Sequence, residues 1–141
     1  MKLDEFNVLG FDYGLKYLGV ASGQTLTKTA NSLSTLKVKN GSPNWKEIEK
    51  LIQIWRPRIL IVGMPLTLND EEQLLSYCAK KFGKRLQQKF SLPVEYCNEQ
   101  LTSWEAKEAC KRKKNESSTH YYSRINAFSA KIIVDEWLNN L

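Results

Sequence analysis

Three short apolar runs, separated by turn residues, open the chain. Residues 7–11 form the first run, which ends at Asp12, and residues 17–21 form the second, after a turn that contains Gly14. Residues 29–38 alternate weakly between apolar and polar side chains. Runs of this length that are rich in strand-forming residues and joined by short turns favour antiparallel pairing. The pattern therefore predicts an antiparallel meander of three strands.

Helices and strands alternate in the rest of the chain. Apolar residues recur with helical spacing in three segments: 45–55, 71–90 and 121–138. Residues 59–62 are apolar at every position, as in a strand covered on both faces, and residues 93–97 resemble another strand. Thr102 and Glu105 form a capping box, which predicts one more helix before the last. This order predicts a single α/β domain with a mixed sheet over residues 1–141.

The composition is that of an ordinary globular protein, and it excludes several classes. The chain has 141 residues, 42% of them hydrophobic, which is enough for one domain with its own core. No run approaches the ~20 apolar residues of a membrane span. Acidic residues stand near the N-terminus where a signal peptide would be basic, so we expect a cytoplasmic protein without membrane contact. Cys78, Cys97 and Cys110 lack paired spacing, which fits a reducing compartment and excludes a CxxC zinc motif.

The charge of the chain favours a polyanionic partner. The net charge is +6 and the sequence pI is about 9.2. Basic surfaces attract nucleic acid, although many basic proteins bind none. The net charge by itself therefore does not identify the binding partner.

Two acidic residues stand where α/β proteins place their ligand sites. Ligands gather outside the carboxyl ends of parallel strands, and Asp12 and Glu99 each follow a predicted strand. Two carboxylates at neighbouring strand ends would make the oxygen-rich site that Mg²⁺ or Mn²⁺ prefers. Each residue also has a simpler interpretation, because aspartate is common in turns and a strand-end glutamate is often only solvated. The residues alone leave both interpretations open.

Several motifs together resemble the YqgF family over nearly the whole chain. They are FDYGLKYLGVASG, TANSLSTL, IVGMPL, NEQLTSWEA and INAFSAKIIVDEWL. Members of this family are described as nucleases that trim the precursor of small-subunit ribosomal RNA and as Holliday junction resolvases. The resemblance implies a ribonuclease H-like three-layer fold, with a mixed five-stranded sheet and helices on both faces.

The resemblance also implies roles for individual residues. Asp12 and Glu99 match the first two metal-binding carboxylates of the family, and Asn126 falls on its third acidic position. Lys16 matches the basic residue near the substrate phosphate, and Gln100 falls where the family has an arginine. In this fold class, two ions of Mg²⁺ or Mn²⁺ clamp the scissile phosphate.

The departures from the family pattern bear on the metal site. Asparagine at position 126 offers an acceptor oxygen without charge, so we expect weaker metal binding, mainly at the second ion. Asp135 cannot replace it, since nine residues along a helix is half a turn off. Asp70, in a loop after a predicted strand, is a better candidate.

A run of four basic residues ends the helix predicted from Thr102. It consists of Lys111, Arg112, Lys113 and Lys114. Basic residues at a helix end complement the helix dipole, which explains much of the pattern. The other interpretation, which we favour slightly, is a loop that contacts substrate phosphates.

The function expected from the resemblance is metal-dependent hydrolysis of phosphodiester bonds, at the 5′ end of pre-16S ribosomal RNA. The alternatives are a resolvase acting on branched DNA and an RNA-binding ribosome-assembly factor with a weakened site. An actin-like ATPase lobe shares the D-x-G motif, but such proteins enclose ATP between two lobes. The expected partners are ribosomal RNA precursor and ribosomal particles, and the expected state is a monomer or weak dimer.

Overall fold

A computed structural model describes residues 5–65, 70–99 and 113–141. These residues form six strands: β1 (Asn7–Tyr13), β2 (Tyr17–Gln24), β3 (Thr29–Lys39), β4 (Ser42–Pro43), β5 (Pro57–Pro65) and β6 (Val94–Glu99). The same ranges contain three helices: α1 (Trp45–Trp55), α2 (Asp70–Phe90) and α3 (Ser118–Asn139). The helix predicted from Thr102 lies outside the described residues.

The strands form one mixed sheet in the order β4-β3-β2-β1-β5-β6. The first three strands pair antiparallel, so the predicted meander is confirmed. Strand β1 then pairs parallel with β5, and β5 pairs parallel with β6. The carboxyl ends of these three parallel strands therefore lie at one edge of the sheet, and β1 is one of the two central strands of the whole sheet.

The sheet has six strands where the sequence predicts five. The additional strand, β4, has only two residues and pairs with Val38 and Lys39 at the end of β3. The chain folds back through Asn40 and Gly41, which both have positive φ. Two residues are too few to show a period, which explains why the sequence pattern misses this strand.

Alternation along the strands directs side chains into two separate cores, one on each face of the sheet. Leu9 and Phe11 of β1 pack on one face with Ile48 of α1 and Phe82 of α2. Val8 packs on the other face, where α3 supplies Ala130, Ile133, Val134 and Leu138. The predicted three-layer arrangement, with helices on both faces, is confirmed.

The helix boundaries follow from their caps. Helix α1 has the predicted bounds, and its C-cap residue, Arg56, adopts a left-handed conformation before Pro57. Helix α3 begins three residues earlier than predicted, because Ser117 caps it by accepting a hydrogen bond from the His120 backbone N–H at 3.1 Å. In the described part of the chain, no helix has the length and apolar character needed to span a bilayer.

Candidate active site

Asp12 lies on the central strand, at the carboxyl edge of the sheet and on the face covered by α3. Val8 and Gly10, which alternate with it along β1, both face α3, since a Cβ at Gly10 would overlap the Val134 side chain. The Asp12 carboxylate is half-buried and makes no hydrogen bond or ion pair with any described residue. Burial raises the pKa of Asp12 to about 7.

A tight turn follows Asp12 and presents Lys16 to solvent. The Gly14 backbone N–H donates a 2.9 Å hydrogen bond to the Tyr17 carbonyl. A Cβ at position 14 would lie 2.8 Å from that carbonyl oxygen, so only glycine fits here without a shift. The Lys16 carbonyl accepts the Val38 backbone N–H at 2.9 Å, which ties the turn to β3. The exposed Lys16 ammonium is thus carried on a turn that is fixed at both sides.

Helix α3 brings Asn126 next to Asp12 through a glycine on the neighbouring strand. Asp12 and Gly19 are directly paired in the β1–β2 register, so they share a sheet face about 5 Å apart. A Cβ at Gly19 would overlap the Asn126 backbone carbonyl, which means that α3 touches the sheet at this point. The Asn126 side-chain amide donates a 2.9 Å hydrogen bond to the Tyr122 carbonyl, one turn back.

Glu99 lies two strands away at the same edge. Its backbone is the last of β6 and pairs with Pro65, the last residue of β5. Neighbouring strands are about 4.8 Å apart, so two spacings separate β6 from β1 by about 10 Å. The Glu99 side chain is outside the described part of the structure. Within the described residues, no cluster of three His, Cys, Asp or Glu is placed to hold a metal ion.

Glu116, which the sequence pattern does not single out, links the basic residues before α3 to that helix. Glu116 accepts hydrogen bonds from the Lys113 backbone N–H at 3.0 Å and from Arg124 Nε and Nη2 at 2.6 and 2.7 Å. These contacts lower the pKa of Glu116 to about 2. Lys113 and Lys114 are exposed in the turn so formed. The other predicted substrate-binding residues, Gln100, Lys111 and Arg112, lie outside the described residues.

A groove of about 300 Å³ runs between β3 and α3 beside this site. Ser32, Thr35, Ser123 and Arg124 contribute polar groups to its lining. Thr35 pairs with Gly19 in the β2–β3 register and donates a 2.6 Å hydrogen bond to the Ser123 carbonyl. Asp12, Gly19 and Thr35 therefore lie in one row across the sheet, and the groove begins two strands from the Asp12 carboxylate.

The six-stranded mixed sheet, covered by helices on both faces, belongs to the ribonuclease H-like class of folds. Within that class the chain belongs to the RuvX family. The family model, described as "Holliday junction resolvase", matches residues 6–140. This match confirms the family membership that the sequence motifs predict, and the family is one of nucleases.

Curated relatives match along most of their length. A protein of Nitrosococcus oceani is 44% identical over 131 residues, which are 93% of this chain and 85% of the relative. A protein of Coxiella burnetii is 40% identical over 130 residues, or 92% of this chain and 90% of the relative. Both bear the name "Putative pre-16S rRNA nuclease".

Solved structures share the fold at low sequence identity. Thermus thermophilus RuvC in complex with a Holliday junction substrate superposes with a TM-score of 0.56 at 14% identity, covering 96% of this chain and 94% of that one. A second structure of the same protein gives a TM-score of 0.51 at 11% identity, with 96% and 95% covered. These likenesses confirm the ribonuclease H-like fold predicted from the sequence.

Proposed function

We propose that this protein is a divalent-metal-dependent nuclease of the cytoplasm that hydrolyses phosphodiester bonds in precursor 16S ribosomal RNA, with ribosomal particles as its partners. The names of its curated relatives support the substrate. The observation that carries the proposal is the half-buried Asp12 carboxylate, which has no partner among the described residues and stands at the carboxyl edge of the central strand.

The donor atoms at this edge suit Mg²⁺ or Mn²⁺. Asp12 supplies a carboxylate whose burial disfavours its charge, and a cation beside it would offset that cost. Asn126, on the adjacent turn of α3, supplies an amide oxygen. Glu99 is the second carboxylate of the proposal. Its backbone ends β6 at the same edge of the sheet as Asp12.

Each residue has a distinct role in the proposed reaction. A bound dication would stabilise charge on the scissile phosphate and make a water more acidic. Asp12, Glu99 and Asn126 would hold the metal, and Lys16, on its fixed turn, would orient a substrate phosphate. Lys113 and Lys114 would contact phosphates further along the strand, as would Gln100, Lys111 and Arg112. The groove between β3 and α3 offers a path for the nucleic acid beside the site.

Resolution of four-way DNA junctions is the second candidate, and the description of the family model favours it. A resolvase cuts two symmetry-related strands of the junction. It therefore needs two paired sites and hence a dimer. Trimming an RNA end needs one site, and a monomer or weak dimer suffices for it. The two candidates therefore differ in substrate and in active oligomeric state.

Cleavage of a precursor ribosomal RNA fragment with Mn²⁺ tests the proposal. The wild-type protein, Asp12→Asn and the control Asp135→Asn are compared. Asp135 is a matched control because it lies on α3 and its carboxylate binds Lys131 at 3.0 Å, away from the sheet edge. We expect cleavage by the wild type and by Asp135→Asn but not by Asp12→Asn.

Other outcomes assign the protein differently. RNA binding without cleavage by any variant would contradict the nuclease proposal and indicate an assembly factor whose site has lost its chemistry. Cleavage of a four-way DNA junction, but not of the RNA fragment, would favour the second candidate. Cleavage that survives in Asp12→Asn would show that catalysis does not use the proposed site.

A further inference from the structure

Helix α2 carries a basic surface with an exposed aromatic residue at its N-terminal end, and the candidate active site does not use this surface. We call this surface the α2 outer face, and it consists of Tyr77, Lys80, Lys81, Lys84 and Gln88. At 100° per residue these five side chains fall within about 100° of arc on the helix surface. All five are exposed to solvent.

The opposite side of α2 is the side that packs on the sheet. Ala79, Phe82 and Leu86 are buried there, in the core shared with β1 and β5. Packing thus fixes which side of the helix meets solvent. Tyr77 is 65% exposed although it is large and aromatic. Its exposed ring offers a face on which a nucleic-acid base can stack.

Among the described residues, no acidic side chain is paired with the lysines of this face. All acidic residues of α2 lie in its first three positions, and the next seventeen residues include five cations: Lys80, Lys81, Lys84, Arg85 and Lys89. In the described ranges, no carboxylate lies within 4.0 Å of the ammonium groups of the three lysines of the outer face. Neighbouring α1 differs, since it carries two lysines and two glutamates.

A second tyrosine lies beside the α2 outer face and joins it to the edge strand. Tyr96 of β6 is 43% exposed, and its ring occupies the space next to Gly83 that a Cβ would fill. Its hydroxyl donates a 3.3 Å hydrogen bond to the Lys80 carbonyl. The aromatic and cationic groups therefore lie on two elements, α2 and β6, that contact each other.

Lysines unpaired among the described residues and exposed aromatic rings are the two elements of a single-strand nucleic-acid surface. Lysines follow the phosphates without reading sequence, and any base can stack on an aromatic ring. A membrane surface fits less well, because an interfacial helix inserts a broad apolar face and the apolar face of α2 packs on the sheet. Residues 73–90 of α2 carry five cations and no acidic residue, in a segment that the candidate site does not use.

We propose that the α2 outer face is a second binding surface for single-stranded RNA, with a base on Tyr77 and phosphates on Lys80, Lys81 and Lys84. Asp70 begins α2 after β5, and α2 leads back to β6, which is parallel to β5. Lys80 and Lys84 thus lie about 15 and 21 Å from the start of the helix. The surface contacts a part of the RNA distant from the cleaved bond. This inference rests on the proposed function only in naming RNA as the nucleic acid that binds.

Fluorescence anisotropy with a labelled single-stranded oligoribonucleotide tests this surface. The full chain is titrated in EDTA at several salt concentrations, as wild type and as the triple variant Lys80→Gln, Lys81→Gln, Lys84→Gln. The control triple, Lys28→Gln, Lys46→Gln, Lys50→Gln, removes the same charge from exposed sites elsewhere. Losing three phosphate contacts should lower the slope of log affinity against log salt by about 2, and the control should retain its slope.

Substitution of the tyrosine separates stacking from charge. Tyr77→Ala should weaken RNA binding about fivefold or more with an unchanged salt slope, and Tyr77→Phe should restore it. Equal effects of the two lysine triples would overturn the inference, because only total charge would then matter. Variants that bind RNA normally but lose affinity for phosphatidylserine vesicles would also overturn it and assign the face to lipid.

Different experimental results would overturn this inference and the proposed function. An α2 triple that binds RNA like the control, in a protein whose cleavage depends on Asp12, would remove only the second surface. Binding that depends on the α2 outer face, in a protein that cleaves nothing, would remove only the nuclease proposal.

Discussion

Gly19 and Asn126 are in direct backbone contact where α3 crosses β2. The missing side chain of Gly19 leaves the space that the Asn126 carbonyl occupies, and any Cβ there would overlap it. Since Gly19 pairs with Asp12 in the sheet, this one contact sets how closely α3 approaches the candidate catalytic carboxylate. The geometry of the site thus depends on a residue that has no functional group.

Gly19→Ala should therefore damage both stability and activity. The added methyl group meets backbone rather than a movable side chain, so α3 must shift away from β2. Overpacking of this kind costs about 1–3 kcal/mol, and the shift would separate Asn126 from Asp12. We expect a lower free energy of unfolding in urea and a loss of Mn²⁺-dependent cleavage larger than the lost stability explains.

Gly10→Ala provides the comparison for that variant. Its Cβ would meet a side-chain methyl group of Val134, on the same face of the sheet. The double variant Gly10→Ala, Val134→Ala should therefore recover stability relative to Gly10→Ala alone. If Gly19→Ala were as stable as the wild type, the contact between α3 and β2 would be looser than the structure indicates.

Asn126→Asp should lower the metal concentration that the protein requires. A carboxylate beside a dication gains Coulomb attraction that an amide does not, and this outweighs the hydrogen bond from Asn126 Nδ2 to Tyr122, worth about 1 kcal/mol. We expect half-maximal cleavage by Asn126→Asp at an Mn²⁺ concentration at least about tenfold lower than the wild type requires. A titration of cleavage rate against Mn²⁺ measures this change.

Asn139→Asp is the control for the added charge. Asn139 ends α3, thirteen residues beyond Asn126, and its side chain is exposed. The charge of the whole protein changes equally in both variants, so only a local effect distinguishes them. An unchanged Mn²⁺ requirement in Asn126→Asp would place the metal elsewhere.

Most of the fold could be predicted from the sequence, because its elements repeat a period that burial imposes. The continuous apolar run of β5 and the helical stripes of α1 and α2 are long enough to show that period. Strand β4 is too short to do so. The start of α3 depends on the Ser117 cap, a local hydrogen bond that apolar spacing does not reveal.

The candidate site could be predicted only in part. The position of Asp12 after an apolar strand fits both a metal ligand and a turn residue, and the family resemblance assigns Asp12, Glu99 and Asn126 to the metal site. The close approach of Asn126 could not be predicted from periodicity, since it depends on packing at Gly19. The pair of Glu116 and Arg124 was missed as well, because eight residues of separation correspond to no repeating pattern.

Glu116→Gln should destabilise the protein at neutral pH and reduce its loss of stability in acid. The pKa of Glu116 is lowered from 4.5 to about 2, chiefly by the Arg124 hydrogen bonds, then by the Lys113 N–H, with a contribution from His120. A lowered folded-state pKa stabilises the protein above pH 4.5, and that contribution disappears between pH 4.5 and 2. Thermal unfolding of both proteins across this range measures the difference.

Glu49→Gln is the control for the loss of a carboxylate. Glu49 is exposed on α1 and has no ion pair with a described residue. This variant should follow the wild type at every pH. Parallel curves for Glu116→Gln and the wild type between pH 5 and about 2 would contradict the assigned role of the Arg124 contacts.

Lys16→Gln should weaken substrate binding with little effect on stability. Lys16 is exposed on the turn after Asp12, and the turn is held by backbone hydrogen bonds that the substitution leaves intact. Losing one phosphate contact should reduce the salt dependence of log affinity by about 0.7 for a single strand. Lys28→Gln is the matched control, because Lys28 is exposed in the turn at the opposite end of β2. Salt titrations of RNA binding compare the two, and equal slopes would exclude Lys16 from the substrate path.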